Sequence, residues 1–310
     1  PPRSTLFPYT TLFRSKPFDR NLRFTASSGI AYDPEAKCPR FMGELLKAAL
    51  EDEDISLIQR YFGSMLLGPN QSHRILILKG TPGGGKSTLV NILERIIGVD
   101  RVAYLRPYHL SGRFEFAGFL GKRLLTGKDV PGDSLSVAGA KLLKSLVGGD
   151  RLEGEIKYDP NKHELIGNFH VVIASNSSLR IGLEGDVNAW RRRLLLVNYE
   201  RPKTDNPIPN FAEQLLQEEA AGILAWLVEG AMQHKREARQ FSLTDAQQTR
   251  IDDLLHESQS AEFFVRNHVV PAEKDHAATV AELLGAYLGF CQQRKWTSLT
   301  ERQFENLLPT

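Results

Sequence analysis

Ile75-Leu76-Ile77-Leu78-Lys79-Gly80-Thr81-Pro82-Gly83-Gly84-Gly85-Lys86-Ser87-Thr88-Leu89-Val90 is the stretch whose reading decides the fold. Four apolar residues without a polar break predict a strand buried on both faces of a parallel sheet. A glycine-rich turn follows, and Lys86-Ser87-Thr88 opens a predicted helix whose apolar positions continue through Leu89, Val90, Ile92 and Leu93. Gly80 and Gly85 stand at the spacing G-x-x-x-x-G-K-[ST] of a phosphate-binding loop. Glycines let successive backbone N–H groups turn inward around phosphate oxygens, and the helix N-terminus adds partial positive charge. The expected nucleotide-binding set is therefore Gly80, Thr81, Pro82, Gly83, Gly84, Gly85, Lys86, Ser87 and Thr88. Within it, Lys86 reaches the β- and γ-phosphates and the Ser87 hydroxyl ligates Mg²⁺. The expected ligand is a nucleoside triphosphate.

The chain of 310 residues is long enough for roughly two domains. It is 41% hydrophobic and 25% charged with a net charge of +2, so contact with nucleic acid would have to be local. Cys38 and Cys291 lie far apart and predict a reducing compartment without a disulfide framework. No apolar run approaches a membrane span, and no secretory signal is visible. The expected location is the cytoplasm, of a cell or of an infected host. Residues 1–15 are set aside, because Thr5 to Ser15 resembles the conceptual translation of a common sequencing adapter. Natural sequence is expected to continue upstream, and a missing C-terminal piece is plausible too. Residues 16–72 then read as a helical module, with Phe41-Leu45-Leu46-Leu50 and Ile55-Ile58-Tyr61-Phe62-Leu66 as the stripes of two helices.

Downstream of the loop, residues 73–205 read as one α/β core. Val102–Leu105 is a short strand, and Gly121–Asp129 is a strand with an acid at its end. A carboxylate there, beside the phosphates, holds Mg²⁺ through water and orients the attacking water, which is the role expected of Asp129. A second acid is usual at this position, but residues 130 and 131 are Val and Pro. Asp133 is the nearest candidate, and the catalytic base is left open. Ser136–Val147 predicts a helix ended by Gly148-Gly149. The segments around Asp159-Pro160-Asn161-Lys162-His163 predict a β-hairpin with a basic tip. Val171–Ser175 is a second buried strand ending at Asn176, whose amide is placed to position water or sense a γ-phosphate. Arg191, Arg192 and Arg193 open a further buried strand, where three guanidinium groups are costly unless they meet anions.

The order of these parts resembles the superfamily 3 helicases, and more narrowly the helicase half of phage and plasmid primase–helicases with poxviral relatives. The resemblance runs from residue 17 to about 300. It takes in Tyr32–Phe41 and Gly222–Leu227 on the flanks. It implies an AAA+-like P-loop NTPase core with a parallel sheet, a hexameric ring, and ATP-driven movement on single-stranded DNA. It makes Lys86 and Ser87 the Walker A pair and Asp129 the Walker B acid. Asn176 becomes the sensor, and one of Arg191, Arg192 and Arg193 the finger acting on a neighbouring subunit, Arg192 first among them. The hairpin would face the ring pore, with Lys157, Lys162 and His163 on the DNA backbone. A primase domain upstream is an expected partner. The missing second acid departs from the family pattern.

Residues 206–310 read as a C-terminal helical region: two helices over Phe211–His234, more over Thr244–Ser258 and from Glu262, and a helix–turn–helix after Thr279 that resembles the start of a winged helix. Two functions follow from the sequence. One is a DNA helicase motor. The other is an ATP-dependent assembly or switch protein that does not translocate.

Overall fold

The structure is a computed structural model that describes residues 29–110, 112, 115–155, 161–183, 185–201, 207–270 and 277–307. Its strands are β1 (Ile75–Gly80), β2 (Val102–Tyr104), β3 (Leu124–Gly127), β4 (Arg151–Glu155), β5 (Lys162–Ile166), β6 (His170–Ser175) and β7 (Leu194–Tyr199). Five of them form a parallel sheet in the order β2-β3-β6-β1-β7, and β4 pairs antiparallel with β5 as a separate hairpin. The uninterrupted apolar run of β1 has its cause in this order. With β6 on one side and β7 on the other, Ile77 lies between Ile173 and Leu196 in the middle of the sheet.

The helices are α1 (Asp52–Ser64), α2 (Lys86–Ile97), α3 (Val137–Gly148), α4 (Val187–Arg191), α5 (Phe211–Arg236), α6 (Asp245–Ser258), α7 (Ser260–His268), α8 (Val280–Arg294) and α9 (Glu301–Glu305). Strand side chains alternate between two cores, as a period of two requires. Leu76, Leu78, Val172, Ala174, Leu195 and Val197 pack with Ile58 of α1, Leu93 of α2 and Leu224 of α5. Ile77, Val171, Ile173, Leu194 and Leu196 pack on the other face with Leu143 of α3 and Leu254 of α6. The sheet is the middle of three layers. A third core of Phe264, Tyr287, Phe290 and Phe304 belongs to α7, α8 and α9.

Helix α1 crosses α5 at van der Waals contact between backbones. A Cβ on Gly63 would lie 2.2 Å from the Ala231 nitrogen, and one on Gly230 would lie 2.1 Å from the Gln59 carbonyl oxygen. Small residues are required wherever two helix backbones approach this closely. Gln59 Nε2 donates to the Trp226 carbonyl at 2.9 Å across the crossing. Further along α5, the buried Glu219 carboxylate accepts from the Arg40 and Phe41 N–H groups at 2.9 and 2.8 Å. It satisfies the free donors of the helical turn Phe41–Leu46 and pins that turn to α5.

Three expectations change. Phe211–Arg236 is one helix of 26 residues and not two, because no residue within it interrupts the helical bonds. The first N-terminal stripe forms only the six-residue turn Phe41–Leu46. The arginines do not open a strand: Arg191 ends α4, Arg192 and Arg193 form the turn after it, and β7 starts at Leu194. Helices and turns leave guanidinium groups room to reach solvent, which a buried strand does not. Among the described residues no strand follows β7, so only helices of the expected partial winged helix are present. No helix of the described residues is long and apolar enough to cross a membrane.

Candidate functional site

At the carboxyl end of the sheet, β1 stops at Gly80, residues 81–85 turn, and α2 starts at Lys86. Gly80 has φ +143°, and a Cβ there would meet the Tyr199 carbonyl oxygen at 2.1 Å, so only glycine fits beside β7. The turn borders a cavity of about 530 Å³, lined by Pro82 to Thr88 together with Asp129, Asn176, Tyr199 and Arg201. Its other wall is apolar and comes from far away in sequence: Leu45, Ala48 and Ala49 from the N-terminal turn and its end, and Ile208 and Phe211 at the start of α5.

Lys86 is buried, and its ammonium donates to the Gly80 and Thr81 carbonyls at 2.7 and 2.8 Å. It also lies 5.7 Å from the Tyr199 ring centre. Desolvation lowers its pKa, against an opposing pull from Asp129. The charge is held on the loop's own carbonyls, within reach of whatever enters the cavity.

Asp129 stands two residues beyond β3, in the left-handed region at φ +53°. Asn176 follows the end of β6, the strand between β3 and β1, and its Nδ2 donates to Asp129 Oδ1 at 3.3 Å. The intervening Lys128 turns away to Glu94 and Asn91 of α2, at 2.9 and 2.8 Å, and Thr126 donates to the same Glu94 at 2.6 Å. Glu94 therefore holds the end of β3 against α2 and keeps the Lys128 ammonium off Asp129. Asp133 does not border the cavity: it accepts from the Tyr108 hydroxyl at 2.5 Å. Ser87 and Asp129 supply hard oxygen donors on one cavity. Among the described residues no three His, Cys, Asp or Glu side chains are grouped as a metal cage. A lone carboxylate plus a hydroxyl fits Mg²⁺ carried in with phosphates, which keeps several waters.

The three arginines divide by partner. Arg191 Nε pairs with Asp252 Oδ1 of α6 at 2.6 Å. Arg193 turns inward, donates to the Ala189 carbonyl at 2.9 Å and is depressed in pKa by desolvation. Arg192 is exposed, and no carboxylate pairs with it among the described residues. In the hairpin, Lys162 and His163 belong to strand β5, opposite Glu155 and Gly154, and not to the tip. Lys157 and the Lys162 side chain lie outside the described residues.

Sequence reasoning did not select Glu44, Leu45, Tyr199, Arg201 or Phe211. Nothing local marks them, because they reach the cavity only through the α5–Glu219 contact and the β1–β7 pairing. Arg201, for one, bonds the Lys47 carbonyl and pairs with Glu51 at 2.6 Å, closing the cavity wall between β7 and the N-terminal turn.

A family model described as a family of unknown function, DUF5906, matches residues 78–193, a span that contains the loop, Asp129, the hairpin, Asn176 and all three arginines. No curated protein matches this chain. Among solved structures, an apo A-form structure of the NrS-1 C-terminal region superposes with a TM-score of 0.55 at 13% identity, covering 84% of this chain and 64% of that one. A second apo structure, of NrS-1 residues 305–718, gives a TM-score of 0.56 at 12% identity, covering 90% and 67%. The chain thus spans about two thirds of the NrS-1 fragment, and the likeness is one of fold.

Proposed function

We propose that this chain is the ATP-hydrolysing motor of a phage or plasmid DNA helicase of the superfamily 3, AAA+-like kind. In this reading it works as a hexameric ring on single-stranded DNA beside an upstream primase domain. The observation that carries the reading is the convergence of Lys86 and Ser87, Asp129 and Asn176 on one cavity. They come from the ends of three adjacent parallel strands, where open α/β sheets bind their ligands. A triphosphate would draw the Lys86 ammonium from its carbonyl partners onto the β- and γ-oxygens. Ser87 and Asp129 would hold Mg²⁺, which neutralises charge between the phosphates. Asn176, already on Asp129, would orient water toward the γ-phosphate, and exposed Arg192 would reach a neighbouring subunit's nucleotide. The apolar wall of Leu45, Ala49, Ile208 and Phe211 would receive the base. Lys157, Lys162 and His163 would meet the DNA backbone, a contact without sequence information and sensitive to salt.

The test is the ATPase rate of residues 16–310 against single-stranded DNA concentration, with Lys86→Ala as the blank. Stimulation that falls steeply with salt and vanishes in the variant is expected. A nucleotide-dependent rate indifferent to DNA would replace the motor with an assembly or switch NTPase. Equal rates in both proteins would remove the nucleotide reading altogether.

A further inference from the structure

Outside the cavity, one buried carboxylate joins three segments remote in sequence. Glu257, near the end of α6, is 6% exposed. One oxygen accepts from the Ser178 hydroxyl, and the other accepts from the Thr297 N–H at 2.9 Å. Ser178 Oγ accepts in turn from Lys79 Nζ at 3.1 Å. Each segment has a consequence for the site. Lys79 immediately precedes Gly80, Ser178 lies two residues past Asn176, and Thr297 lies in the connection from α8 to α9. The same loop carries parallel bonds. Arg180 donates to the Thr297 carbonyl at 2.8 Å, and Ile181 N–H donates to Ser258 Oγ at 3.1 Å. On the inner side, Arg180 N–H donates to the Gly132 carbonyl at 2.6 Å, tying the loop to the segment that carries Asp129.

Burying a carboxylate costs several kcal/mol unless its oxygens are bonded, and an apolar residue would serve α6 at lower cost. The compensating partners here are the loop after β6 and the last helical module. We propose that Glu257 is a positioning residue: through Ser178 it holds the Asn176 loop and Lys79 in place, and through Thr297 it links them to the α7–α9 module. The linkage rests on the nucleotide reading given above. If Asn176 follows the γ-phosphate, residues 177–181 must either break these bonds or carry Thr297 with them. The α7–α9 module has its own core, so it responds as a body.

Amide exchange at Thr297 and steady-state hydrolysis, measured on the whole chain, decide the matter. Ser178→Ala removes no bond to Thr297, yet it is expected to speed exchange there about fivefold, as Glu257→Gln does; the factor corresponds to one hydrogen bond. Ser178→Thr restores the wild-type rate. Where ATP is hydrolysed, both damaging variants lower kcat about tenfold with KM within about threefold, and their combination is no worse than either alone. Unchanged Thr297 exchange in Ser178→Ala overturns the linkage, and unchanged kcat overturns the positioning role. A wild type that neither binds nor hydrolyses ATP removes the nucleotide reading, while Thr297 exchange still decides whether loop and module are joined.

Discussion

Mild acid should destabilise this protein through His170, at the start of β6. Its ring is fully buried, and Nε2 lies 2.9 Å from the Gly68 carbonyl oxygen, which can only accept, so Nε2 carries the proton. Nδ1 is buried without a hydrogen-bond partner among the described residues. It neighbours a cavity of about 10 Å³ lined by Ser64, Gln71, Ser72, His234 and Arg239. A proton placed on Nδ1 would be opposed by the charge of Arg123 and by any on His234, and no carboxylate of the described residues lines the cavity. Desolvation first, then these charges, push His170 from the ordinary 6.5 down to about 4. The unfolded chain takes up this proton near pH 6.5, whereas the folded one refuses it until about 4. Stability is therefore complete above pH 6.5, declines as pH falls through the window, and levels off below 4. At 1.36 kcal/mol per pH unit the full loss is about 3 kcal/mol, and roughly 2 kcal/mol of it is reached at pH 5. His234, also depressed by desolvation, adds in the same direction. Urea unfolding followed by tryptophan fluorescence at pH 7 and pH 5 measures the loss. Carboxylates contribute in the same window, so the comparison is with His170→Asn, which costs stability at pH 7 but cannot titrate there. The variant should lose about 2 kcal/mol less than wild type between the two pH values. An equal loss in both proteins would refute the argument.

Gly63→Ala should destabilise by about 3 kcal/mol, read from the urea midpoint, because α1 and α5 must separate to admit the methyl group. A shift below about 0.5 kcal/mol would contradict the backbone contact described for that crossing. Arg192→Ala should lower ATP hydrolysis about 10³-fold, with nucleotide affinity retained, as expected for an arginine acting in trans. Mixing it with Lys86→Ala subunits should recover part of the rate, and no recovery would place the arginine elsewhere. Replacing Lys162 and His163 by uncharged residues should spare basal hydrolysis, abolish unwinding and lower the salt dependence of DNA binding by about one to two counterions. Retained unwinding would exclude the hairpin as the DNA contact.

The sequence by itself determined the parallel α/β core. Four unbroken apolar residues in Ile75–Leu78, closed by a glycine-rich turn, read as a strand covered on both faces, and glycine spacing needs no tertiary information to fix a turn. Helix ends were legible for the same local reason: Thr244, Thr279 and Thr300 each accept from a backbone N–H three residues on and close a capping box. Tertiary structure alone decided which distant residues share the cavity. The order β3-β6-β1 places Asn176 on Asp129 across 47 positions, and Glu219 brings Leu45 to the far wall of the cavity beside the glycine-rich loop. It also separated the three arginines, which are equivalent in sequence but are distinguished by Asp252, the Ala189 carbonyl and solvent. Strand and turn propensities act within a few residues of one another. Pairing between strand ends and the burial of a carboxylate such as Glu257 depend on partners that only the folded chain brings within hydrogen-bond distance.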